Sequence, residues 1–120
     1  MFGRGRSVHE VGLMESMLEI ALEHARTRGA DRIHAIALRI GRLAGVEPEA
    51  LGLAFEVVTS GTSAEGARLD IESVPVVCFC YPCEKEFEPD EFIFACPLCG
   101  RFSSEVRRGR ELELASLEVS

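Results

Sequence analysis

No apolar stretch in this 120-residue chain approaches the length needed to span a membrane. The first seven residues, Met-Phe-Gly-Arg-Gly-Arg-Ser, carry charge but lack the apolar run of a secretory signal. A reduced, cytoplasmic setting is therefore expected. Positive charge is also scarce: the net charge is −7 and the pI about 5.0, the reverse of the basic footprint that binds nucleic acid. Arg101, Arg107, Arg108 and Arg110 make a local basic cluster, but Glu105, Glu111 and Glu113 dilute it into a solvated face. There is no His-Glu-x-x-His and no paired acid and base to which a reaction can be assigned, so an enzyme is not expected. Internal repeats and low-complexity segments are missing as well.

What the chain does have is Cys80-Tyr-Pro-Cys83 and Cys96-Pro-Leu-Cys99-Gly100, two Cys-x-x-Cys pairs separated by the twelve residues from Glu84 to Ala95. Each pair turns tightly enough to aim two thiolates at a common point. Two such turns on a short hairpin complete a tetrahedron of sulfurs, a geometry that zinc accepts because its filled d shell imposes no preference. Pro82, Pro97 and Gly100 suit turns that need restricted φ at one place and free φ at another. Two disulfides would be the reading in a small secreted domain, but in a reduced setting this spacing reads as metal. The fifth cysteine, Cys78, falls in the apolar run Val74–Phe79 and reads as a strand residue packed as a small hydrophobe. The segment around the cysteines has too little apolar content to fold by burial alone, so metal binding must supply much of its folding free energy.

The rest of the chain reads as helix, strand, helix, strand and, after the cysteines, one more strand. From His9 to Arg28, Val11, Met14, Leu18, Ala21, Leu22 and Ala25 recur at three- and four-residue steps, with Leu13, Met17 and Ile20 widening the stripe. The methionines stand at core spacing, and Gly29 ends the helix. Ile33–Ile40 is a covered strand and Gly41–Gly45 a turn. Glu47-Pro48 opens a second helix with proline where its missing N–H costs least, and Gly61 closes it. Gly52 inside that helix costs about 1 kcal/mol relative to alanine, which suggests a close neighbour. Residues Ala67–Val77 form a second strand that feeds directly into the cysteines. Arg110–Val119 alternates polar and apolar as a half-buried third.

The expected fold is α+β: one three-stranded sheet with both helices on a face, and a zinc-ribbon-like module inserted between the second and third strands. Its divisions are 8–75 with 107–119 as one domain and 76–106 as the zinc-binding domain. Residues 1–7 are a disordered extension or a misassigned start.

Val8-His-Glu-Val-Gly-Leu-Met-Glu-Ser-Met-Leu, Arg39-Ile-Gly-Arg-Leu-Ala-Gly-Val-Glu-Pro-Glu-Ala-Leu, Phe55-Glu-Val-Val-Thr and Glu65-Gly-Ala-Arg-Leu-Asp-Ile-Glu resemble the HypA/HybF family. So do the cysteine pairs and Glu111-Leu-Glu-Leu-Ala-Ser-Leu-Glu-Val, which extends the resemblance over residues 8–119. It implies a nickel metallochaperone for maturation of nickel–iron hydrogenase, and in some bacteria urease, with Ni2+ as cargo and Zn2+ as a structural ion. By position it implies His9 as a nickel ligand, Glu10 as its support, and Cys80, Cys83, Cys96 and Cys99 as zinc ligands. The implied partners are a nickel-binding GTPase of the same pathway and the hydrogenase large subunit. A monomer or weak homodimer is expected.

Nickel(II) favours planar nitrogen donors, and a terminus beginning Met-His supplies amine, backbone amides and imidazole. Here Val8 stands where the family has its initiator Met, and seven residues precede it. Either the extension is real and Ser7-Val-His-Glu10 is a capping box, or a GTG start codon has been read through as Val. The second is favoured, because valine is the residue it requires. His24 and His34 read as surface or packing residues. Two rivals remain open: a rubredoxin-like iron electron carrier, since the same thiolates accept iron, and a zinc ribbon that only docks proteins.

Overall fold

The computed structural model describes residues 3–89, 93–102 and 105–120, with side chains from residue 10 onward. Its elements are α1 (Gly3–Thr27), β1 (Ile33–Gly41), α2 (Pro48–Thr59), β2 (Arg68–Val74), β3 (Val77–Cys80), β4 (Lys85–Phe87), β5 (Glu105–Arg108) and β6 (Leu112–Val119). They sort into two compact units. One holds Met1–Arg39, Val46–Glu72 and Glu113–Ser120; the other holds Ile40–Gly45 and Ser73–Leu112.

The first unit is an α+β layer. Met14, Met17, Leu18, Ala21 and Ala25 form the buried stripe of α1, the three- and four-residue recurrence of a helix with one covered side. Ile20, placed on that stripe by its spacing, is instead exposed. The helix ends in a Schellman motif: the Gly29 N–H donates to Arg26 O and the Ala30 N–H to Ala25 O, with Gly29 at φ 71°. Pro48 occupies the first turn of α2, which buries Leu51, Ala54, Phe55 and Thr59 and packs on α1. Gly52 has no neighbour within 4 Å of a Cβ built on it, so the close packing expected there is absent.

The sheet order is β2-β1-β6, with β1 in the centre. Ile33, Ala35, Ile36, Leu38 and Ile40 make β1 the most buried strand. Its Arg39 reaches Glu72 of β2 at 3.3 Å and Glu113 of β6 at 2.9 Å. These ion pairs are solvent-facing and contribute little energy, but they mark the sheet's polar side. At the end of β6, Ser120 exchanges backbone hydrogen bonds with Arg32, and its Oγ lies 2.6 Å from His34 Nε2. His24 and His34 are both exposed.

The second unit carries its own sheet, β4-β3-β5, which the sequence pattern did not reveal. Here one expectation is corrected. The strand read over Ala67–Val77 is two strands, broken after Val74 by Pro75, whose nitrogen has no hydrogen to continue a ladder. The chain re-enters a sheet at Val77, with Cys78 fully buried opposite Phe87 on one side and Val106 on the other. A register shift between Val77 and Cys78 accommodates the bend. On this sheet Arg107 lies 3.8 Å over the Phe79 ring and 2.8 Å from Glu105, which accepts the Tyr81 hydroxyl. Arg107 is thus built into the sheet face and is not simply part of a solvated basic patch.

Candidate metal centre

Strand β3 delivers Cys80, and the turn after it delivers Cys83. The β3–β4 register, Cys80 opposite Lys85, forces the chain to reverse within Tyr81-Pro-Cys83-Glu84. The reversal is closed by the Glu84 N–H donating to Tyr81 O at 3.2 Å. The second turn is closed one residue wider: Gly100 N–H donates to Cys96 O at 2.8 Å, and Cys96 N–H donates to Arg101 O. Gly100 has φ 77° and Glu84 φ 54°, so corresponding positions share the left-handed conformation, but only one is glycine.

The four sulfurs lie within 4.8 Å of one another. Cys80 Sγ is 3.6 Å from Cys99 Sγ, and Cys96 Sγ is 3.9 Å from Cys83 Sγ. A tetrahedron with metal–sulfur bonds of about 2.3 Å has edges of about 3.8 Å. Two of the separations therefore match the edges of one tetrahedral site, and all four sulfurs are near enough to share one ion. Cys80 and Cys96 are buried, Cys83 is half-buried and Cys99 exposed, so the centre sits at the edge of its unit.

The electrostatics set Cys96 apart from Cys80 and Cys83. The backbone N–H groups of Cys99 and then Leu98 point at the Cys96 sulfur and outweigh desolvation, lowering its pKa to about 7. At Cys80 the corresponding N–H of Cys83 also favours the thiolate, but desolvation and the neighbouring thiols together raise the pKa. Cys83 is pushed up to about 12, first by its contact with Cys99 and then by desolvation. Four thiols crowded this closely cannot all ionise without a cation, the condition a dication removes.

The second turn of α1 holds the other expected site residues. His9 lies on α1, but its side chain, like that of Ser7 in the expected capping box, falls outside the described residues. Glu10 is fully buried. Its carboxylate does not reach back along α1 as a capping box requires: Oε2 accepts the Glu47 N–H at 2.9 Å, and Oε1 has no hydrogen-bond partner. Glu47 is the N-cap of α2, so Glu10 closes that helix's start across the α1–α2 packing. The family resemblance pointed to this residue as the support of His9; its acceptor role needed the fold. No helix among the described residues is long and apolar enough to cross a membrane.

Comparison with known proteins identifies the arrangement. The family model described as "Hydrogenase/urease nickel incorporation, metallochaperone, hypA" matches residues 8–119. A hydrogenase maturation factor HypA of Picosynechococcus sp. is 46% identical over 93% of this chain and 99% of its own length. One of Acidithiobacillus ferrooxidans is 45% identical over the same shares. Among solved structures, a solution structure of HypA protein matches with TM-score 0.72 and 26% identity, covering 94% of this chain and 97% of that one. The solution structure of the Ni metallochaperone HypA from Helicobacter pylori matches with TM-score 0.65 and 25% identity, over 92% and 96%. With its α+β layer, its inserted four-cysteine unit and this near-complete match, the chain belongs to the HypA family of nickel-incorporation metallochaperones.

Proposed function

We propose that this protein binds Ni2+ at His9, in the N-terminal part of α1, and delivers it for maturation of nickel–iron hydrogenase, and of urease where that enzyme is the client. His9 supplies the side-chain ligand. Glu10 supports it by fixing the turn against α2. Cys80, Cys83, Cys96 and Cys99 hold a structural Zn2+, which supplies the folding free energy that the cysteine unit lacks. The role is carriage and not catalysis. The recipients are a nickel-binding GTPase of the pathway and, through it, the hydrogenase large subunit. Nucleic acid and membrane have no part, and the chain works in the cytoplasm as a monomer or weak homodimer.

The observation that carries this reading is the family match over residues 8–119, which begins one residue before His9. The buried Glu10 adds to it. A carboxylate tied to the start of α2 holds the neighbouring turn in place. For the cysteines, the sulfur spacing supports zinc. The same four thiolates accept iron, so elemental analysis and colour test this reading against an electron carrier: ferric four-thiolate iron is red and zinc colourless.

Nickel titration of two chains tests the site, one starting at Met1 and one at Met-His9-Glu10. Tight planar nickel only in the shorter chain places the α-amine among the donors and the native start at position 8. Equal binding in both, lost in His9→Ala, means that the longer chain supplies another donor. No nickel in either overturns the proposal.

A further inference from the structure

Helix α2 is apolar on more sides than its own unit covers. Leu51, Ala54 and Phe55 are buried, yet Leu53 and Val57, one turn apart, are 67% and 68% exposed. They line a groove of about 150 Å³ together with Ala50 and Ala54 of α2 and Val11 of α1. Side chains spaced by four residues on α2 facing a single apolar residue on α1 form an open seam into which a third helix can lay its own ridge.

The rim of the seam is acidic on both sides. On α1, Glu15 and Glu19 follow Val11 at four-residue steps and are exposed. On α2, Glu49 precedes Leu53 by one turn and Glu56 follows it by three residues, both exposed. None of these four carboxylates has an ion-pair or hydrogen-bond partner among the described residues. Several other exposed acids of the unit are paired: Glu23 with Arg26, Glu72 and Glu113 with Arg39, Glu118 with Arg68. An apolar seam bordered by unpaired acids selects one kind of occupant by charge complementarity.

From this we infer that the α1–α2 seam docks a basic amphipathic helix of a partner protein, with apolar residues at helical spacing in the groove and Lys or Arg flanks against Glu15, Glu19, Glu49 and Glu56. The inference stands whether or not the nickel reading holds. Val11 follows Glu10 directly, so a helix in the seam lies beside the turn that carries His9.

The probe is a synthetic helical peptide with leucines at i, i+3, i+4 and i+7 flanked by lysines, compared with the same peptide carrying glutamates. Binding is followed by amide chemical-shift changes on the zinc-loaded full chain. The lysine peptide is expected to shift Val11, Ala50, Leu53 and Val57, to weaken at least tenfold in Leu53→Asp, and to weaken with added salt. The glutamate peptide is expected to leave these amides unmoved. Circular dichroism of Leu53→Asp verifies that the fold is intact, which its exposure predicts. Failure of the lysine peptide to shift these amides at millimolar concentration overturns the inference, as does equal binding of both peptides. Sedimentation supplies a second arm: a dimer of the full chain that Leu53→Asp abolishes would make a second copy the occupant and likewise overturn it.

Discussion

Gly41 and Gly109 meet backbone to backbone in the cysteine unit. A Cβ built on Gly41 falls onto the Gly109 carbonyl group and within 2.5 Å of Arg110 N. The approach is fixed by Gly41 N–H donating to Glu111 O and Leu43 N–H donating to Gly109 O at 2.6 Å. Gly109 itself has φ 118° and backs onto Val76. Backbone, unlike a flexible side chain, has no room to give way. Gly41→Ala is therefore expected to cost about 3 kcal/mol or more, measured by urea denaturation of the zinc-loaded chain. A loss under about 1 kcal/mol would show that the contact is looser than it looks.

Glu84 repeats the conformation of Gly100 without the glycine. Relieving a left-handed residue gains about 1 kcal/mol, offset in part by the greater freedom of glycine in the unfolded chain. Glu84→Gly is expected to raise stability modestly and to leave zinc content unchanged. Lower stability in the same denaturation assay would mean that the Glu84 side chain contributes contacts worth more than the strain.

Gly52 lies mid-helix with open space around it. Gly52→Ala should stabilise α2 by up to about 1 kcal/mol, seen as a higher midpoint of thermal unfolding. A destabilised variant would restore the close neighbour that the sequence suggested.

Glu10 is buried with one oxygen on the Glu47 amide and the other unpaired. Removing the carboxylate strands a donor and leaves a void, so Glu10→Ala should cost about 2–4 kcal/mol. Glu10→Gln keeps an acceptor for the Glu47 amide and nearly the same volume, so it should lose clearly less than Glu10→Ala. If both variants lose the same amount, the hydrogen bond to the Glu47 amide is not what the site requires.

Zinc affinity should fall on acidification with a break near neutrality. The lowered pKa of Cys96, about 7, means that its thiolate is already free above that pH and protonated below it. Cys83, near 12, surrenders a proton to the metal throughout the physiological range. Each pH unit below 7 therefore adds the Cys96 proton to those that zinc must displace. Competition against a chelator at pH 6, 7 and 8 should show a steeper loss between 7 and 6 than between 8 and 7. Equal slopes would place the Cys96 proton elsewhere.

The metal centre was legible because its chemistry is local: two turns, each spanning four residues, carry all four sulfurs. The helices were legible from periodicity, and so was the sheet's place in the order of elements. Three features were not. The break at Pro75 and the sheet β4-β3-β5 depend on pairing between short strands that carry no period of their own. The Gly41–Gly109 contact joins residues far apart in sequence, and neither glycine differs on paper from those that merely turn the chain. Glu10 stood out beside His9, but its acceptor role depends on Glu47, which the fold alone brings near. The exposed pair Leu53 and Val57 was hidden for the opposite reason: α2 is apolar enough that only the structure separates its covered side from its open one.

Nickel carriage at the start of α1 is tested most directly by calorimetric titration of nickel into the zinc-loaded chain and its His9→Ala variant, with zinc followed by elemental analysis. One nickel per chain in the parent, lost in His9→Ala while zinc stays at one per chain, is the expected result. Nickel that binds His9→Ala as tightly as the parent, or that enters only by displacing zinc, would contradict it.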